Sequence, residues 1–279
     1  MTRPRSRSSR ALAALFLGLC ALVAPTPALA APACSLVGSV LTVTLADGET
    51  ATLVNDGANI DVLEGTGCQT ALSALTGVTV AGSAGANAVE VRLGPAPFPI
   101  VTFALAAGTN AVTVTGTVGS DALTLASRFA GGDTVTTFTV NGGPGGDLLT
   151  ATGWPRGVTL NGEAGSDTLV GSASADVLDG GPDSDSIAGR GGEDVLDGGL
   201  GGADVADYSA SPAGVAVAMN AASGNAGGDA AGDALADFED LVGSPSADRL
   251  TGDADPNGIL GGAGDDVLAG GAGSDLLSG

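Results

Sequence analysis

Hydrophobic and polar positions give the chain two textures. From Ser35 to about Leu160, apolar residues alternate with Thr, Ser or acids in short runs: Val40 to Leu45, Val78-Thr79-Val80, Val89-Glu90-Val91, Ala111 to Thr115 and Val135 to Val140. A period of two with β-branched residues predicts strands. Turn pairs such as Asp47-Gly48, Asp56-Gly57 and Gly131-Gly132 separate the runs, at spacings too short for helices. Only Ala71 to Leu75 offers a helical turn. The pattern predicts an all-β domain over residues 31–160, either a sandwich or a solenoid.

After Leu160 the period becomes nine. Counting Gly162 as position one, the units read GEAGSDTLV from Gly162, GSASADVLD from Gly171, GGPDSDSIA from Gly180, GRGGEDVLD from Gly189 and, with one inserted residue, GGLGGADVA from Gly198. The frame returns with GSPSADRLT from Gly243, GDADPNGIL from Gly252, GGAGDDVLA from Gly261 and GGAGSDLLS from Gly270. Position six is Asp at Asp167, Asp176, Asp185, Asp194, Asp204, Asp248, Asp266 and Asp275, with Asn257 in the remaining unit. Position eight is Leu or Ile throughout, except at Ala206. Solvated acidic disorder would not hold two residue types in fixed phase.

That spacing carries a chemistry. Glycines in the first four positions allow a turn with positive φ whose backbone can approach an ion closely. The Asp at position six is a hard anionic oxygen ligand, and position eight points its side chain inward from a short strand. Two units make one circuit, so equivalent turns stack every 18 residues. An ion between turns i and i+2 would then share oxygens from both, and six to eight oxygens without His or Cys describe calcium coordination. Asp253 to Gly258 fits the first half of an EF-hand loop, but its twelfth position would be Gly264 in place of a bidentate Glu. A variant nonapeptide is the better account.

The units resemble the G-G-x-G-x-D-x-U-x repeat of the RTX, or hemolysin-type, calcium-binding family. The resemblance implies a right-handed parallel β-roll, an RTX β-solenoid, in the C-terminal half, disordered without Ca2+ and folded in extracellular Ca2+. It assigns residues 161–206 and 243–279 to two repeat blocks joined by a connector at 207–242. It also implies that Asp167, Asp176, Asp185, Asp194, Asp204, Asp248, Asn257, Asp266 and Asp275 are the side-chain ligands. Stacked pairs would be Asp167 with Asp185, Asp176 with Asp194, Asp185 with Asp204, Asp248 with Asp266, and Asn257 with Asp275. Isolated matches begin upstream at Gly82, Gly116 and Gly142, 34 and 26 residues apart. That spacing is too irregular for one stacked roll, so they read either as relics of a lengthened solenoid or as ordinary Gly turns.

Charge fits this picture. The chain has 31 Asp+Glu against 9 Lys+Arg, a formal net charge of -22, and no His. Every basic residue is Arg, so Schiff-base and P-loop lysines are absent, as is every imidazole mechanism. Nucleic acid needs a basic footprint and is excluded as a partner. Between Gly162 and Gly279 stand 22 acids against Arg190 and Arg249, about -20.

Residues 1–30 read as a signal peptide: Arg3, Arg5, Arg7 and Arg10, an apolar run from Ala11 to Ala24, then Ala28-Leu29-Ala30 as a cleavage site. No second long apolar stretch follows, so the mature chain is expected to be exported and not transmembrane. Cleavage removes Cys20 and leaves Cys34 and Cys68, which in an exported chain favours a disulfide. Asp61, Glu64, Glu90, Asp121 and Asp133, with Arg92 and Arg128, carry no catalytic signature, and no catalytic residue is expected. The sequence therefore predicts a secreted, non-enzymatic calcium-binding protein with a structural or surface-interaction role. An adhesin or carbohydrate-binding module with purely structural calcium is the alternative, and a polysaccharide-acting enzyme is a weaker one. Cell-surface or extracellular polysaccharide or protein is the partner class.

Overall fold

The computed structural model describes residues 33–37, 40–45, 50–55, 59–62, 69–71, 77–82, 87–92, 100–105, 110–124, 135–221 and 224–279. The leader at 1–30, Cys20, Cys68 and most of the helical turn expected at Ala71 to Leu75 lie outside them. Nearly every described element is a strand; a short 3-10 turn at Gly228–Ala230 is the helical exception.

From Val40 onward the chain alternates between two faces of a coil. One face is a long sheet that includes Thr50–Asn55, Asn87–Arg92, Asn110–Thr115, Val135–Asn141, Thr159–Asn161, Val177–Pro182, Val195–Leu200 and Ala234–Ala236. These strands pair in parallel, each with the strand one circuit later. Opposite it lie first Val40–Leu45, Gly77–Gly82 and Ile100–Leu105, also parallel, and then an eight-stranded parallel sheet from Ala122–Thr124 to Leu276–Ser278. Three antiparallel pairings, Ala33–Val37 with Val40–Leu45, Thr50–Asn55 with Asn59–Val62, and Asn59–Val62 with Gln69–Ala71, occupy the upstream end. They cover strand edges that would otherwise stand open.

The upstream region is thus a solenoid, since a sandwich would be built from antiparallel strands. The backbone pairing does not break at residue 160: Val140 registers with Leu160, and Leu160 with Leu178. Parallel stacking also lines up side chains. Leu53, Val91, Val114, Val140, Leu160, Leu178, Leu196 and Leu235 form one registered column, all of them buried. Facing it, Leu149, Leu169, Ile187, Ala206, Leu241 and Ile259 form a second. Within the repeats, position eight of the nonapeptide supplies both columns, and the upstream strands add a further buried, registered row of Ala51, Val89, Val112 and Phe138.

The upstream matches at Gly116 and Gly142 correct the expectation that their spacing forbids stacking. Ala122–Thr124 pairs with Leu148–Thr150, which pairs with Thr168–Val170 in the first nonapeptide unit. What must be conserved is one strand per face per circuit, not the residue count between them. The connector likewise stays within the coil, adding Ala234–Ala236 and Asp240–Val242 to the two faces. Ala216–Ala218 begins a further three-stranded parallel sheet with Arg249–Thr251 and Val267–Ala269.

Candidate metal centre

The position-six side chains form ladders along the edges of the coil. Asp167 Oδ1 accepts the Asp147 N–H at 2.7 Å, Asp185 Oδ1 the Asp167 N–H at 2.7 Å, and Asp204 Oδ1 the Asp185 N–H at 2.8 Å. On the opposite edge Asp194 Oδ1 accepts the Asp176 N–H at 2.8 Å. In the second block Asp266 Oδ1 takes the Asp248 N–H at 2.9 Å, and Asp275 Oδ1 the Asn257 N–H at 3.1 Å. The structure therefore brings together all five stacked pairs that the period suggests. Each carboxylate spends one oxygen holding the preceding circuit.

The other oxygen is directed at position one of its own turn. A Cβ on Gly162 would stand 2.3 Å from Asp167 Oδ2 and 2.5 Å from the Gly180 carbonyl; on Gly180, 2.4 Å from Asp185 Oδ2 and 2.5 Å from the Gly198 carbonyl. Glycine at position one is thus required by the carboxylate and carbonyl that fill the space of its missing side chain. Both groups are acceptors. Oδ2 of Asp147, Asp167, Asp185, Asp194, Asp204 and Asp266 is buried without a hydrogen-bond partner, an arrangement that is costly unless a cation or donor compensates it.

Backbone conformation separates two kinds of turn. In the turns beginning at Gly142, Gly162, Gly180, Gly189, Gly261 and Gly270, positions two and four both have positive φ; in that at Gly198, position two and the glycines around the insertion do. Most of these residues are glycine, but Glu163, Asp183 and Arg190 adopt the same conformation, at φ 73, 83 and 71. We call these turns open. In the turns at Gly116, Gly171, Gly243 and Gly252 neither position has positive φ. There the position-two N–H, from Thr117, Ser172, Ser244 or Asp253, donates to the position-six side chain at 2.6, 2.6, 2.6 and 2.8 Å. The position-two side chain in turn accepts the position-four N–H, an Asx or Ser/Thr turn. We call these closed. Asp176, Asp248 and Asn257 sit in closed turns and are already satisfied.

Burial raises the carboxyls of Asp147, Asp167, Asp185, Asp194 and Asp204 above the ordinary value of 3.8. Loss of water pushes Asp167 up to about 6 against its hydrogen bond from Asp147, with the neighbouring carboxylates adding to the rise. Asp185 and Asp194 reach about 7 for the same reason. The metal-free fold thus binds protons more tightly than the unfolded chain does. The contribution of these groups to its stability is greatest below about pH 4 and is lost as pH rises through 6 to 7, where they must ionise in place. Acidifying metal-free protein from about pH 8 to pH 5 is expected to increase β structure in circular dichroism; a decrease would contradict this.

Among the described residues no three carboxylates converge on one point. A cation at an open turn would draw on one carboxylate and on backbone carbonyls, a hard, all-oxygen set that fits calcium. A parallel coil with open turns that aim uncompensated carboxylate oxygens at neighbouring carbonyls is a calcium-binding repeat solenoid. The model of the RTX calcium-binding nonapeptide repeat (4 copies) matches residues 159–187, 170–203 and 241–277. The chain carries RTX repeats, and RTX nonapeptide repeats bind calcium ions. No curated protein matches the chain.

Four members of the ladders lie outside the two repeat blocks. Asp147 Oδ1 accepts the Asp121 N–H, Asp233 Oδ1 the Asp194 N–H and Glu239 Oε2 the Asp204 N–H. Asp121 and Asp147 occupy position six of the isolated matches at Gly116 and Gly142. Asp233 and Glu239 have no such signal. Asp233 Oδ2 accepts the Tyr208 hydroxyl at 2.9 Å, a donor where the open turns have none. Of the residues weighed for catalysis, Glu90 is ion-paired with Arg92 at 2.8 Å, while Glu64, Asp133 and Arg128 lie outside the described residues.

Proposed function

We propose that this is an exported calcium-binding protein whose repeats hold their rolled form when extracellular calcium occupies the open turns, and whose role is structural or surface-interacting. The observation that carries this reading is the set of buried, unpartnered Oδ2 atoms. In the open turns, Asp167, Asp185, Asp194, Asp204, Asp266 and Asp275 supply the side-chain ligands, with carbonyls such as those of Gly180 and Gly198 beside them. Asp176, Asp248 and Asn257, satisfied within closed turns, hold the stack together instead. Calcium supplies a divalent charge that neutralises the inward carboxylates. The chain's own part is to position them: the Oδ1 hydrogen bond fixes each carboxylate's angle, and glycine at position one leaves room for Oδ2.

Export rests on the leader at residues 1–30 and on a disulfide. Cys34 is disulfide-bonded, and Cys68 is the other cysteine left after cleavage at Ala30. A bridge between them would close a loop of about 35 residues and add roughly 3.5–4 kcal/mol on the chain-entropy model. No described helix is long and apolar enough to cross a membrane.

The test compares Asp185→Ala with Asp275→Ala in the mature chain. Asp185 bonds the circuit before it through Oδ1 and the circuit after it through its N–H, whereas Asp275 bonds only Asn257. The Asp185 variant should raise the calcium concentration at half-folding several-fold more than the Asp275 variant. Equal shifts would count against ions shared between stacked turns, and binding of no calcium by the wild type would reject the reading outright.

A further inference from the structure

We infer that the turn from Gly142 to Asp147 is a calcium site, continuing the column of open turns upstream of the repeats. The inference rests on the calcium reading of the open turns and extends it to a turn outside the residues that match the RTX repeat. Three observations support it. Asp147 is buried, 3 % exposed, and its Oδ2 has no hydrogen-bond partner. A Cβ on Gly142 would meet Asp147 Oδ2 at 2.3 Å and the Gly162 carbonyl at 2.7 Å, the same carboxylate and carbonyl cradle as at Gly162 and Gly180. Gly143 and Gly145 have φ of 98 and 150, so the turn is open by the criterion that holds for the repeat turns.

The next turn upstream shows where the column ends. In the turn from Gly116 to Asp121 the Thr117 N–H donates to Asp121 Oδ2 at 2.6 Å, and the Thr117 hydroxyl accepts the Gly119 N–H at 3.2 Å. The positive end of an N–H dipole stands where a cation would have to lie. The one repeat that lacks a carboxylate at position six, with Asn257 there, is also a closed turn, as expected if closed turns need no anion. Asp147, Asp167 and Asp185 therefore form one ion column, with the Gly162, Gly180 and Gly198 carbonyls beside them. The column starts at the closed Asp121 turn. Calcium then binds across residue 160 and fastens the upstream strands to the repeats.

Calorimetric calcium titration of the full mature chain tests this with three conservative variants, each keeping an Oδ1 acceptor. Asp147→Asn should bind one calcium fewer per chain than the wild type, and Asp121→Asn the same number. Asp185→Asn should also lose one, which checks the underlying reading. Unchanged stoichiometry in Asp147→Asn alongside a loss in Asp185→Asn would overturn the upstream site alone; no loss in either would overturn both. Should Asp147→Asn fail to fold, anomalous difference density from calcium-loaded wild-type crystals decides. A peak between the Gly142–Asp147 and Gly162–Asp167 turns supports the site. Peaks confined to the repeat turns reject it.

Discussion

Calcium added to metal-free protein is expected to produce a large gain of parallel β structure, with magnesium far less effective. Without the ion, folding the roll requires carboxylates to be buried beside one another: Asp185 lies close enough to Asp167, Asp204 and Asp183 for each to raise its pKa. The second oxygens of Asp167, Asp185 and Asp204 find no donor. The segment from Gly162 to Gly279 carries about -20, and its glycine-rich turns lose more conformational entropy on ordering than other residues would. Against this stand core columns one side chain wide. Calcium at a hundred times its dissociation constant stabilises the fold by about 2.7 kcal/mol per independent site. Three such sites would contribute about 8 kcal/mol, comparable with the whole stability of a typical domain. Magnesium prefers a smaller, near-ideal octahedron and gives up its water reluctantly, so mixed carbonyl and carboxylate turns suit it poorly. Circular dichroism during a calcium titration reads the transition directly. A spectrum unchanged up to about 10 mM calcium, well above the affinity range of extracellular modules, would reject the coupling of folding to the ion.

The sequence makes the roll legible because two phases hold through the nine units with one exception each, Asn257 and Ala206: Asp at six for the ladder and Leu or Ile at eight for the core column. Leu169 over Ile187 and Asp167 over Asp185 follow directly from a period of nine taken twice. The continuation upstream is less visible. Leu123, Leu149 and Leu169 stack just as closely, but the circuits that carry them are 26 and 20 residues long. A solenoid fixes the pairing of strands and leaves the length of the intervening arcs free, so a search for a constant period loses the stack where the arcs lengthen.

Which carboxylates are available to an ion depends on backbone conformation, and only part of that can be read from residue type. Ser172, Ser244, Thr117 and Asp253 at position two mark closed turns, because a short polar side chain can accept the position-four N–H. Nothing local to Glu163 or Arg190 announces that these residues take positive φ as a glycine would. In the connector, Asp233 and Glu239 reach the ladder from segments without the repeat's spacing, which only the folded chain brings into register.

Replacing Gly165 by Ala is expected to be among the most damaging single-methyl changes in the protein, whereas the same change at Gly191 should be neutral or slightly stabilising. Both are turn glycines of the first repeat block, and composition does not distinguish them. Gly165 stands at position four with φ 130, and a Cβ there would lie 1.8 Å from the Gly145 carbonyl oxygen and 2.5 Å from its carbon. These are backbone atoms of the preceding circuit, which cannot swing aside as a side chain can. The strained conformation and the forced separation of circuits together should cost about 3–5 kcal/mol. Gly191, at position three, has no positive φ, and nothing lies within 4 Å of its Cβ position. An alanine there mainly reduces the freedom of the unfolded chain, worth about 0.4–1 kcal/mol in favour of the fold. Denaturant unfolding in saturating calcium measures both. Because Gly165 belongs to the turn facing Asp147, its alanine variant should also weaken calcium binding, while the Gly191 variant keeps it. Equal effects at the two positions would mean that stacked circuits do not approach as closely as the Gly145 to Gly165 contact requires, and that glycine in these turns serves flexibility alone.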